Sequence, residues 1–319
     1  MSNPALHEPS ISQVQSIPLY KESDEIDLKE LIIALWNGKK IIIAVTALFM
    51  ILGVAFALSK PNTYQSSATL VSAQGEQAGS LAAVASQFGG LASLAGVSLK
   101  DSSTDNKTLA LAELKSRKFI NAFIDKYDLW VPLMAAEDWD AKHNKLVINQ
   151  DLYNSNTQVW QEDEEGDSLK PSYWEAYKRF KDLLSVAEDK ETGLVTVSIT
   201  HFSPYVAQQW VAWLVDELNS KVKNDALNES RTNISYLQQQ LEKTNVVDMQ
   251  SVFYQLIEDQ TKSLMLAEVR DEYAFKTVDP AVVPEEKVGP KRALICILAT
   301  LLGGMLGTAI VLVRFALNP

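Results

Sequence analysis

Two stretches without a single charged side chain bound what this chain can become: "IIIAVTALFMILGVAFAL", Ile41–Leu58, and "ALICILATLLGGMLGTAIVLV", Ala293–Val313. Each is about as long as the hydrocarbon core of a bilayer requires of a helix. A buried core helix could account for one such run. Two of them, bracketing nearly all the polar sequence, read as transmembrane helices. Ala55 and Ala57 form an A-x-A of the kind that ends a signal peptide. About forty mostly polar residues precede the run, far more than a usual n-region, so the first helix is expected to stay.

Two spans put both termini on one side of the membrane and the loop from Ser59 to Arg292 on the other. Lys39 and Lys40 precede the first span and only Lys60 follows it closely. The excess of basic residues places the N-terminus in the cytoplasm. Lys287, Lys291 and Arg292 on the loop side of the second span, against Arg314 beyond it, argue locally the other way. Long loops cross largely regardless of charge, so the first helix decides. The expected division is a cytoplasmic segment 1–40, spans 41–58 and 293–313, a periplasmic domain 59–292 and a cytoplasmic tail 314–319. The single cysteine, Cys296, lies in the second span, so the exported loop has no disulfide. A net charge of -11 argues against nucleic acid and against docking on an anionic membrane surface.

Inside the loop, "YQSSATLVSAQ", Tyr64–Gln74, alternates and is rich in β-branched residues, as a strand does. The small and apolar residues 80–99 read as a loosely helical packed segment in preference to a re-entrant one. Leu109, Leu111, Ala112 and Leu114, then Phe119, Ile120, Phe123 and Ile124, predict two helices, with Ser116 capping the second. A short helix is expected around Tyr173–Leu184. Asp128–Pro171 yields no assignment, and its "EDEEGD" reads as a solvated charge run because the ligand register of an EF-hand is missing. "GLVTVSITH", Gly193–His201, is a second strand.

Ser203 followed by Pro204 is a helix start. No glycine or proline interrupts the chain from there to Glu242, giving a rod on the order of 60 Å. After a break at Thr244–Asp248, with Asp248 a candidate cap, a second helix carries Met249, Val252, Phe253, Leu256, Ile257, Leu264 and Ala267 on one face. It returns toward the membrane and ends in "YAFKTVD", a third strand. The reading is an α+β membrane protein: two transmembrane helices flank a domain with a membrane-proximal α/β base and a long helical hairpin, about 204–274.

No catalytic constellation emerges. There is no phosphate-cradling G-x-x-x-x-G-K-[ST], His7, His143 and His201 lack metal-ligand spacing, and no carboxylate pair is set apart for acid and base roles. Catalytic, cofactor-binding and metal-ligating residues are all expected to be none. A sensory receptor input domain would need a cytoplasmic output module, and an anchored glycan-processing enzyme would need a carboxylate cleft.

The succession "LAELKSRKFINAFIDKYDL", "TGLVTVSITHFSP", "AEVRDEYAFKTVDPAVVPE" and "GPKRALICILATLLGGMLG" resembles the polysaccharide co-polymerases, the Wzz-type regulators of O-antigen chain length in Gram-negative inner membranes. The resemblance runs from about Glu25 to Arg314. It implies a non-enzymatic regulator of lipopolysaccharide biosynthesis without cofactor, a homo-oligomeric ring in the bilayer that works with a separate O-antigen polymerase, either by binding the growing polysaccharide or by modulating the polymerase through the membrane spans. It also implies that Pro280, Pro284 and Pro290 form the proline-rich connector 278–292 before the second span. Proline's fixed φ would make this a stiff extended segment; a plain spacer is the simpler alternative. Gly303, Gly304 and Gly307 form a small-residue face for association between spans. Lys39, Lys40, Lys291 and Arg292 flank the membrane. An adaptor for capsule or exopolysaccharide export is the nearest alternative function.

Overall fold

The computed structural model describes residues 28–73 and 102–317, and the chain divides into two compact units. The segment 80–99 lies outside the described residues.

The first unit holds the spans. Helix α1, Leu28–Asn37, leads into α2, Lys39–Ser59. The last helix of the chain, Arg292–Leu317, is the second one long and apolar enough to cross a membrane. Both reach beyond the uncharged cores read from sequence, because Lys39, Lys40 and Arg314 continue the helical turns at the ends.

The second unit, Ala57–Arg292, is built on an antiparallel sheet. Strand β1 is Thr63–Ser72. Helices α3, Ser102–Leu114, and α4, Arg117–Lys126, follow, and Ser116 caps α4 by accepting from Phe119 N at 3.1 Å. The stretch without a sequence assignment contains a short helix α5, Trp130–Met134, and two hairpins: β2, Ala136–Asp140, with β3, Lys145–Ile148, and β4, Tyr153–Asn154, with β5, Val159–Trp160. Its acidic knot is a surface turn in which Asp163 Oδ1 accepts from the backbone of Glu165 and Asp167. Helix α6, Tyr173–Leu183, opens with a capping box between Ser172 and Glu175. Strands β6, Leu184–Glu188, and β7, Val195–His201, form the next hairpin.

The long helices follow. Helix α7, Pro204–Lys243, is capped by Ser203, and α8 is Val247–Val269. Strands β8, Phe275–Asp279, and β9, Lys287–Gly289, close the sheet, and α9 is the span Arg292–Leu317. The strand order is β6-β7-β1-β8, with β9 also on β1. Strand β1 thus pairs on one side with β7 and on the other with the two strands that arrive last in sequence, which ties the chain's two membrane-proximal ends together.

One face of the sheet buries Ala68, Leu70, Val195, Val197 and Ile199. Against it lie α4 through Phe119, Ile120, Phe123 and Ile124, α6 through Phe180, and the first half of α7 through Trp210, Val211, Leu214 and Leu218. The three-and-four spacing of these α7 residues places them on one stripe. Trp210 and Phe180 stack with ring centroids 5.9 Å apart. Past Leu218 the only buried apolar residue of α7 is Leu227, and α8 buries only Ala267. The hairpin therefore leaves the core and extends as a pair of helices.

Two expectations for α8 need correction. Its N-cap is Val246, without a side-chain hydrogen bond, and Asp248 sits in the first helical turn, where its charge still complements the helix dipole. Phe253, Ile257 and Leu264 are half-buried, while Met249, Val252 and Leu256 are exposed, because a two-helix hairpin covers only a narrow seam.

Candidate functional site

The connector Val278–Arg292 is paired to β1 near both of its ends. After β8 the chain leaves β1 at a register irregularity near Thr69, arches, and pairs again with β1 through Thr63↔Gly289 and Tyr64↔Lys287. Between these anchors Ser66 Oγ donates to Val282 O at 2.7 Å and Gln208 Nε2 donates to Ala281 O at 3.3 Å. Pro280, which lacks an N–H to give to a ladder, is exposed, and Pro284 and Pro290 are half-buried. The three prolines lie along one arch held to the base by side chains of β1 and α7.

The arch ends at Arg292. Its Nε donates to Ala57 O at 3.1 Å and its Nη2 to Lys60 O at 3.3 Å. The guanidinium therefore caps carbonyls where α2 finishes, a favourable site for a cation. Lys291 is exposed. Lys39 and Lys40 begin α2, with Lys39 Nζ 4.8 Å from the centre of the Trp36 ring.

Within the unit of the spans, Gly303 and Gly307 are buried against α2. A Cβ on Gly303 would stand 2.7 Å from Phe49 Cβ and 3.0 Å from Thr46 Cα; one on Gly307 would stand 3.0 Å from Ile42 Cα. Only hydrogen fits there, so the two spans of one chain approach backbone to side chain. Gly304 is turned aside, and a Cβ there would meet only Thr46 Oγ1 at 3.8 Å. Gly38, which lay outside the sequence pattern because it precedes the apolar run, faces Val311 just as closely.

The titratable groups serve the scaffold. His201 is 3 % exposed; its Nε2 lies 3.0 Å from Pro132 O and its Nδ1 accepts from Ser203 N at 3.1 Å. Two such neighbours require the neutral Nε2–H tautomer, and burial pushes the pKa down to about 4. Exposed His143 pairs with Asp140 at 2.6 Å, which holds that carboxyl below its usual range. The carboxylates of Asp163, Glu165 and Asp167 converge on the surface turn and are all exposed. Among the described residues none of these groups joins a nucleophile to a base inside a cleft.

The family model "Chain length determinant protein" (Wzz) matches residues 24–127, and the model "G-rich domain on putative tyrosine kinase" (GNVR) matches residues 235–316. Among solved structures, a full-length bacterial polysaccharide co-polymerase is 17 % identical, covers 92 % of this chain and 98 % of its own, and superposes with a TM-score of 0.40. A fragment of the WzzB polysaccharide co-polymerase from Salmonella Typhimurium is 12 % identical, covers 72 % of this chain and 100 % of its own, with a TM-score of 0.31. No curated protein matches.

The two family models match separate stretches near the two ends of the chain. The Wzz-type resemblance carried by the sequence motifs agrees with the match to the chain-length-determinant model, which runs from just before the first membrane helix to the end of α4.

Proposed function

We infer that the protein regulates the modal chain length of O-antigen lipopolysaccharide, which a separate polymerase makes in the Gram-negative inner membrane. The carrying observation is the chain-length-determinant match over residues 24–127, a region that runs from the first span through β1 into the core of the base. The base and hairpin face the periplasm on this reading, since Lys39 and Lys40 mark the cytoplasmic end of α2. The working form is a homo-oligomer, and the exposed apolar residues of the hairpin, such as Met265, Leu266 and Val269, supply surface for neighbours. The protein contributes no bond-making step of its own.

The GNVR match over 235–316 favours a second reading, in which the polymer is capsule or exopolysaccharide and the protein acts as its export or length adaptor. A lipopolysaccharide gel from a strain lacking its own chain-length regulator, with and without this gene, separates the two. Condensation of the ladder into a modal cluster supports O-antigen control. An unchanged ladder with altered capsule or exopolysaccharide size supports the second reading.

A further inference from the structure

Lys115, Arg117 and Lys118 crowd the start of α4 in a chain whose net charge is -11. The first turns of α6 lie beside them within the base unit and are aromatic, with Tyr173, Trp174 and Tyr177. Trp174 is 51 % exposed and Tyr173 52 %. The guanidinium carbon of Arg117 stands 5.4 Å from the centre of the Trp174 ring, and Lys178 Nζ stands 5.9 Å from it. On the Tyr173 side, Lys170 Nζ lies 4.8 Å from the centre of the Trp130 ring, which Tyr173 meets edge to face at 5.1 Å.

The rings are anchored to the fold and the cations are left over. Tyr173 Oη and Trp130 Nε1 each donate to Asp125 at 3.0 Å, one to either carboxylate oxygen, and Tyr177 Oη donates to Lys115 O at 3.4 Å. Glu175 is taken up by the capping box, where Ser172 N and Oγ each donate to its Oε2 at 2.8 Å. Arg117, Lys170 and Lys178 form no ion pair among the described residues. An otherwise acidic chain thus presents an exposed indole with uncompensated cations at its rim.

Such a surface fits a ligand that is flat and apolar on one face and anionic at its edge. A pyranose ring offers a face of C–H groups that can pack on an indole, and a hexuronic acid carries its carboxylate at the edge of that ring. Arginine takes a carboxylate by paired N–H donors, and tryptophan and arginine are the usual anchors of recognition surfaces. A bilayer surface would call for a continuous apolar face beside the cations, whereas Ala176 and Phe180 of α6 turn into the core. We propose that this patch binds an acidic sugar of the polymer, a hexuronic acid unit stacked on Trp174 with its carboxylate on Arg117 and Lys178. The site rests on the reading that the protein serves a polysaccharide, and it adds that the polymer is acidic and touches the base.

Full-length protein in detergent is titrated calorimetrically with a hexamer of galacturonic acid and with the same hexamer methyl-esterified, which keeps the rings and removes the charge. The acid is expected to bind about tenfold more tightly than the ester. Trp174→Ala and the double variant Arg117→Gln, Lys178→Gln, all at exposed positions, are expected to keep the unfolding midpoint of the unaltered protein. Each should weaken binding of the acid about tenfold. Equal affinity for acid and ester would overturn the assignment, as would polyphosphate binding as tightly as the hexamer to the unaltered protein and to Trp174→Ala alike. Retention of short-chain phosphatidylglycerol through Trp174 in place of the hexamer would give the patch to the membrane. A smaller oligomer in the double variant by light scattering, with no hexamer bound by the unaltered protein, would give it to a second copy of the chain. No polymerase enters the titration. A ladder that stays unregulated while the hexamer binds defeats the chain-length reading and leaves the site; a condensed ladder with no hexamer bound defeats the site alone.

Discussion

Asn219, buried in the middle of α7, is bonded to the backbone of Phe275 in both directions: its Nδ2 donates to Phe275 O at 2.9 Å and its Oδ1 accepts from Phe275 N at 2.8 Å. The same Oδ1 accepts from Ala274 N at 2.9 Å. One amide side chain thus imitates a strand at the point where the chain, returning from the hairpin, enters the sheet. Buried backbone groups need such partners, and among the described residues β8 has β1 on one side and no strand on its other.

Replacing Asn219 by alanine leaves two backbone N–H groups and one carbonyl unpartnered at a buried site. The expected cost is about 2–4 kcal/mol, from the desolvation of orphaned groups. Denaturation of the purified protein should show it as a marked drop in midpoint, and Asn219→Asp should be nearly as damaging because the carboxylate cannot donate to Phe275 O.

His201 makes the base sensitive to acid. Its folded pKa of about 4 lies below the ordinary value of 6.5, so the unfolded chain takes up a proton first as pH falls. Stability from this group is complete above about pH 6.5 and is lost as pH drops toward 4, by roughly 3 kcal/mol at most. Urea midpoints at pH 7.5 and 4.5 should differ by more in the unaltered protein than in His201→Gln, which cannot charge.

Gly303→Leu and Gly307→Leu should separate the spans, since their new side chains meet Phe49, Thr46 and Ile42. Gly304→Ala should be tolerated. Disulfide trapping between cysteines placed at positions 46 and 304, where a Cβ is accommodated, in a Cys296→Ser background, should be efficient in an otherwise unaltered chain and weak when Gly307 is leucine. Equal trapping in both would refute the packing assigned to this face.

Ser66→Ala removes the bond to Val282 O and is expected to cost about 1 kcal/mol locally. Hydrogen exchange should quicken around Val282–Gly289 while the core helix α4 keeps its protection. If the arch also transmits length control, the modal cluster on the lipopolysaccharide gel should broaden in this variant.

Local chemistry made much of this protein legible in advance. Uncharged runs of bilayer length, Ser116 and Ser203 as caps, the alternation of Gly193–His201 and the unbroken helical run after Pro204 each act within a few residues, so the sequence alone determined the spans, the base strands and the hairpin. Other features depend on atoms far apart in the chain. Asp248 has the chemistry of a cap, but the helix starts two residues too early for it to serve. The prolines announce an extended segment, yet only Ser66, Gln208 and the exposed edge of β1 decide that it lies along the sheet. Arg292 reads as a membrane-flanking charge, and only the close approach of Ala57 and Lys60 turns it into a fixed cap. Asp128–Pro171 had no pattern to read because its short hairpins are held by side-chain amides and turns, without a repeating apolar period. Tertiary structure decided these points because the partners are brought together by the sheet and core, and no spacing in the sequence encodes them.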